Sequence, residues 1–159
     1  MRRLAAATAA TLAVLALPSA AGATIVPQQG MLGVKLGDTV REVRAQLGAP
    51  DGIRFEDNEI IGRQRLYFYG RTIIGFDGDA KGAKVINLST RSRSERLANG
   101  IGVGSTKREV MRKVAGVKCP VDEGFHCYLG RFVAGRRVTD FRLSSAGRVT
   151  AVEIGRVVD

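Results

Sequence analysis

Gly33-Val34-Lys35-Leu36-Gly37-Asp38-Thr39-Val40-Arg41-Glu42-Val43 recurs 67 residues later as Gly100-Ile101-Gly102-Val103-Gly104-Ser105-Thr106-Lys107-Arg108-Glu109-Val110, with six of the eleven positions identical. Each copy places Thr-x-x-Glu ahead of a short apolar-periodic run: Thr39 with Glu42, and Thr106 with Glu109. In such a capping box the threonine hydroxyl and the glutamate carboxylate each satisfy one amide that the first helical turn leaves unpaired. Two helices are therefore expected to begin alike, over about 40–47 and 107–114. Val43 and Leu47 stand one turn apart on the buried side of the first, as Val110 and Val114 do on the second. Gly48 and Pro50 end the first helix. Helices this short are not stable alone, so each must lie on a sheet.

Outward from each helix the periodicity changes to two. Arg65-Leu66-Tyr67-Phe68-Tyr69 alternates, Gly70-Arg71 can turn, Thr72 to Asp77 answers as a hairpin partner, and Lys84 to Leu88 supplies a third strand. Leu66, Phe68, Ile74, Phe76, Ile86 and Leu88 are expected under the helix, with Tyr67, Tyr69, Ile73, Val85 and Asn87 on the other face. The polar stretch 51–63 reads as loop. In the second half, 126–133, 137–143 and 148–154 give another three strands, with Phe141 in the place of Phe76. The expected fold class is α+β: two tandem repeats, each a helix plus a three-strand antiparallel meander, packed as one small globular unit. The expected division is a leader over 1–23, a flexible arm over 24–32, a first repeat over 33–89, a solvated connector over 90–99 and a second repeat over 100–159.

Met1-Arg2-Arg3, the apolar run from Leu4 to Leu17 and the small residues ending in Ala21-Gly22-Ala23 make a secretory signal peptide, with cleavage near Ala23. The apolar run is too short for a spanning helix, and no later segment is long enough, so no transmembrane anchor is expected after cleavage. Loss of Arg2 and Arg3 with the leader takes 25 basic residues to 23 against 15 acidic ones, a net charge of +8. That balance favours anionic partners in the cell envelope, whether a polymer, a lipid headgroup or an acidic protein face. Cys119 and Cys127, the only cysteines, are expected to close a disulfide in an oxidising compartment. The small loop it closes is stabilised by about 2.5 kcal/mol in the chain-entropy model.

The pair of segments Gly37-Asp38-Thr39-Val40-Arg41-Glu42-Val43 and Gly104-Ser105-Thr106-Lys107-Arg108-Glu109-Val110 resembles the Gly-x-Thr-x-x-x-Val core of the β-lactamase inhibitor protein family (BLIP-like). More distantly it resembles the barrel-assembly lipoproteins of the SmpA/OmlA (BamE-like) type. Gly116-Val117-Lys118-Cys119 with Cys127 is similar to that inhibitor family's cysteine-linked loop. The resemblance implies a tandem helix-plus-meander fold and a protein-binding role. Departures are also plain, since the first half has no cysteine, the first hairpin turn reads Gly70-Arg71 where the inhibitor carries an acidic residue, and no acylation cysteine follows the leader.

Catalytic chemistry is poorly supplied. His126 is the sole histidine, beside a cysteine expected to be oxidised, and no local motif gives it a nucleophile. Glu56, Asp57 and Glu59, and Asp122 and Glu123, read as solvated loop acids. Asp77-Gly78-Asp79-Ala80-Lys81-Gly82 lacks the later glutamate of a calcium loop and reads as a turn. No catalytic residue, metal or cofactor is expected, and export argues against nucleic acid as a partner. The expectation is a secreted, non-catalytic protein that uses an exposed sheet face for protein–protein interaction, as an enzyme inhibitor or an envelope assembly factor. The alternative is a cationic structural protein held to anionic polymer or lipid, and an unrecognised hydrolase stands behind both. Tyr and Arg dominate binding hot spots, so the expected surface comprises Tyr67, Tyr69, Arg71 and Ile73 with Tyr128, Arg137 and Arg142.

Overall fold

The computed structural model describes residues 24–60, 62–121 and 124–158. The expected leader, and Asp122 and Glu123, lie outside the described residues. Both capping boxes form. Thr39 (φ −80°, ψ 161°) precedes helix α1 (Val40–Leu47), and Thr106 (φ −80°, ψ 154°) precedes helix α2 (Lys107–Lys113). The Thr39 and Thr106 amides donate to the Glu42 and Glu109 carboxylates at 2.7 and 2.8 Å, and the threonine hydroxyls accept from the glutamate amides at 3.3 and 3.2 Å. Gly37 (φ 96°) and Gly104 (φ 94°) take the left-handed conformation that lets the chain turn into each helix.

Among the described residues, ten strands surround these helices. Strands β1 (Ile25–Val26), β2 (Gly30–Met31) and β3 (Val34–Lys35) pair antiparallel in a small sheet. Seven more make a second antiparallel sheet: β4 (Gly52–Asn58), β5 (Gly62–Tyr69), β6 (Thr72–Phe76), β7 (Val85–Thr90), β8 (His126–Gly130), β9 (Arg137–Leu143) and β10 (Val149–Arg156). Their order is β4-β5-β6-β7-β10-β9-β8. The protein is therefore mostly β, which corrects the α+β expectation of two tandem helix-plus-meander repeats. Helix contributes only eight and seven residues. β7 and β10 join edge to edge, with Leu88 opposite Ile154 and Thr90 opposite Val152, so the halves share one sheet and one core. Each helix buries too little to close a core of its own, with Val40 and Val43 buried on α1 and Val110 on α2.

Three further expectations change. The stretch 51–63 is not loop, because β4 runs through it and pairs with β5 from Gly52↔Phe68 to Asn58↔Gly62. An edge strand meets water along one side and needs few apolar residues, which is why its composition reads as loop. Residues 24–32 are not a free arm: Ile25 and Met31 are each 1% exposed, and Thr24 and Ile25 donate to the Arg96 carbonyl. Leu97, in the expected solvated connector, is also buried, at 5% exposed.

Face assignment on β5 also reverses, while Ile74, Phe76 and Ile73 of β6 lie on the expected faces. The two-residue turn puts Tyr69 opposite Thr72 and hence Tyr67 opposite Ile74. Cross-strand partners share a face, so Tyr67 lies under the helices with Ile74, Leu88 and Ile154, while Leu66 and Phe68 face the other way. Val85 is likewise in the core, at 2% exposed, because the register shifts between Gly75 and Phe76.

Replacing Thr106 by Ala should cost about 1 kcal/mol, read as a lowered Tm, since the hydroxyl that accepts at the helix start is lost. Hydrogen bonds from Thr39 and Thr106, backbone first and hydroxyl second, hold the Glu42 and Glu109 carboxyls below the usual glutamate range. Their contribution is therefore complete above the unfolded-state value and disappears as pH falls through the lower folded-state value. Thermal melts of wild type and Glu109→Gln should differ at neutral pH and converge on the acid limb.

Candidate binding site

On the sheet face turned away from the helices, strand register sets one row of side chains across six strands: Phe68, Ile73, Ser89, Glu153, Asp140 and Tyr128. The two ends of this row differ in chemistry.

At one end, Phe68 and Ile73 floor a hollow of about 850 Å³ that the β7–α2 connection and the loop before α2 wrap around. Arg71, Arg91, Arg93 and Arg148 line it and no carboxylate does. Among the described residues none of these four arginines makes an ion pair. Arg148 instead donates to the Gly104 carbonyl at 3.2 Å, which fixes it against the loop before α2. Four uncompensated guanidinium groups around an apolar floor raise the local positive potential and can hold a multiply charged anion.

At the other end the charges are closed on themselves. Asp140, 5% exposed, has Oδ1 3.0 Å from His126 Nδ1 and Oδ2 3.0 Å from Arg142 Nε. Arg142 also reaches Glu153 at 3.2 Å. Burial pushes the Asp140 carboxyl above its usual range, although Arg142 and His126 beside it pull the other way. Burial alone would lower Arg142, but Glu153 and then Asp140 outweigh it and hold the guanidinium more firmly protonated. Tyr128 and Phe132 pack edge-on at 4.8 Å and lie beside the His126 ring, at 5.5 and 6.1 Å. His126 Nε2 is buried without a hydrogen-bond partner. The imidazole that a general base would present is thus covered by aromatic rings, and among the described residues no hydroxyl or thiol is hydrogen-bonded to it.

The expected surface residues divide between these places. Arg71 and Ile73 line the arginine hollow, and Tyr128 and Arg142 belong to the closed network. Arg137 sits apart at the start of β9, where its carbonyl accepts from Gln28 Nε2 at 2.8 Å. Tyr67 and Tyr69 are on the opposite face, Tyr67 3% exposed and edge-on to Phe76 at 5.0 Å. Phe68, Arg91, Arg93 and Arg148 escaped the sequence reading. Parity about the Gly70-Arg71 turn could have placed Phe68, but nothing local brings Arg148 to Arg91. The acidic turn takes no calcium-like form: Asp77 accepts from the Lys84 amide at 2.7 Å, and Asp79 lies 3.9 Å from Arg63. Among the described residues no group of three or more His, Cys, Asp or Glu could hold a metal ion.

The disulfide joins Cys119 to Cys127 of β8, with Cα atoms 4.1 Å apart, a bond that persists in an oxidising compartment. Among the described residues no helix is long and apolar enough to cross a membrane. No known family model matches the chain, and no curated protein matches its sequence. The fold is similar to that of a DUF4309 family protein from Bacillus subtilis, with TM-score 0.48 and 16% identity over 86% of this chain and 89% of that one. It is also similar to a cysteine-rich secretory protein from Staphylococcus aureus (TM-score 0.45, 11% identity) and an extracellular protein containing an SCP domain from Bacillus anthracis (TM-score 0.43, 14% identity). Each of these two matches covers 76% of this chain and 44% of that one.

Asp140→Ala strands His126 and Arg142. It should destabilise the fold by about 2 kcal/mol, below the roughly 3–5 kcal/mol of a fully buried pair because Arg142 is half in solvent. Asp140→Asn should cost less, since burial already favours the neutral form there. Urea denaturation of both variants checks the order.

Proposed function

We propose that the protein is exported by a leader cleaved near Ala23 and acts without catalysis, binding an acidic protein surface on its open sheet face. The observation that carries this reading is the arginine hollow: Arg71, Arg91, Arg93 and Arg148 stand around Phe68 and Ile73 with no carboxylate among the lining residues. Paired guanidinium–carboxylate contacts would supply specificity, and the apolar floor would supply the desolvated centre that interfaces need. Role follows surroundings here, because Arg142 is neutralised by Asp140 and Glu153 while Arg71 is not. An enzyme inhibitor or an envelope assembly factor both fit such a surface.

A second reading, attachment to an anionic envelope polymer, draws on the same four arginines. Salt separates the two. Polymer attachment driven by charge should fade steeply with ionic strength, while a packed protein interface should weaken little.

The triple variant Arg71→Glu, Arg91→Glu, Arg93→Glu should lose the exported proteins that the wild-type protein captures. Arg137→Glu should keep them. Capture unchanged in the triple variant, with folding verified by circular dichroism, would remove the hollow from the interface.

A further inference from the structure

The helix-covered side of the sheet is not covered everywhere. β4 extends past α1, and between them runs a groove of about 1010 Å³ lined by Val40, Arg41 and Arg44 of the helix, Ile53 and Phe55 of β4, Arg65 and Tyr67 of β5, and Lys81. Strand register builds its floor, because Ile53 lies opposite Tyr67 and Phe55 opposite Arg65, so all four point to the helix side. Ile53 is 51% exposed and Phe55 44% exposed, while Tyr67 and Val40 beneath them are buried. Large apolar side chains left open beside a core are unfavourable unless something covers them.

The rim carries charge of one sign. Arg41, Arg44, Arg65 and Lys81 line the groove with no acidic residue among the lining side chains. The nearby acids are engaged elsewhere: Glu42 is held in the capping box at Thr39, and Asp79 lies 3.9 Å from Arg63. Among the described residues Arg41, Arg44 and Lys81 make no ion pair. The Arg65 and Arg63 guanidinium groups lie 5.6 and 5.0 Å from the Phe55 ring centroid, so cationic and apolar surface are contiguous.

We infer that this groove is a binding site for a single-chain anionic amphiphile, a carboxylate, phosphate or sulfate head on an apolar body. Its body lies on Ile53, Phe55 and Tyr67, and its head is held by Arg41, Arg44 and Lys81. The volume suits a small ligand. An extended acidic peptide fits less well: the floor is made of apolar side chains, and backbone amides laid on it would lose water and gain no partner. The site is separate from the arginine hollow, since Tyr67 and Phe68 point to opposite faces.

The test is titration of the exported protein with laurate below its micelle concentration, followed by calorimetry. Dodecyl maltoside serves as the neutral analogue, acetate as the head alone, polyglutamate as the acidic chain, and phosphatidylglycerol vesicles as an anionic head presented in a bilayer. Laurate should bind at least about tenfold more tightly than dodecyl maltoside. Acetate and polyglutamate should not compete with it. Arg44→Glu with Lys81→Glu should weaken laurate by about tenfold or more, and Phe55→Asp should do the same, with melting temperature confirming the fold in each. Arg71→Glu with Arg91→Glu should leave laurate binding unchanged, so failure here and failure of the open-face reading are told apart. Equal binding of the neutral analogue, displacement by polyglutamate, binding to vesicles without binding to monomeric laurate, or indifference to both groove variants would each overturn the inference.

Discussion

The pairing of β7 with β10 holds the molecule together. Each is the last strand of its half, and they run antiparallel at the centre of the seven-stranded sheet, with Ser89 opposite Glu153 between the Leu88↔Ile154 and Thr90↔Val152 pairs. Leu88, Thr90, Val152 and Ile154 are all at zero exposure. Each apolar member is worth roughly 1.5–3 kcal/mol on burial, an upper figure for a real unfolded chain. The buried Thr90 hydroxyl is satisfied by Thr72 at 2.9 Å, so the seam carries no orphaned polar group there. Without this seam two short sheets would each present a bare edge, and neither short helix could cover one.

The seam is fastened to both helix starts by the same backbone device. The Gly37 amide donates to Val85 at the beginning of β7, and the Val85 amide donates to Asp38. Likewise the Gly104 amide donates to Val149 at the beginning of β10, and the Val149 amide to Ser105. Each of these four bonds is 2.8 Å. The capping boxes thus locate the helices along the central strands rather than merely starting them. Because α1 is set by β7, it stops short of β4 and leaves the groove over Ile53 and Phe55. Because the chain leaving β7 must reach the loop before α2, Arg91 and Arg93 are drawn to Arg148 on the open face.

Function follows from this division of the sheet into two faces. On the open face the acids Asp140 and Glu153 spend their charge on His126 and Arg142, which leaves the arginines at the other end of the row uncompensated. Net positive charge alone says nothing of where an anion would sit. Local pairing decides it, by neutralising one cluster and sparing another.

Much of the local structure is legible in the chain. The repeated Thr-x-x-Glu boxes, the helix bounds, the hairpin turn at Gly70-Arg71 and the cysteine pair all rest on contacts within a few residues, where sequence and geometry are tightly coupled. The same hairpin turn holds the parity that puts Tyr67 under the helix, but the apolar composition of Leu66 and Phe68 points the other way and masks it. The β4 edge strand was hidden by its polar composition, since water satisfies what a neighbouring strand would otherwise supply. Whether two meanders stand apart or merge is not a local matter: it depends on two edges 66 residues apart in the chain, Leu88 at β7 and Ile154 at β10, finding each other. The sequence by itself determined where helices begin, where the chain reverses and which cysteines join. Only the tertiary structure decided the single sheet, the buried Asp140 network and the two cation-lined recesses, because each is made by residues that share nothing but their position across strands.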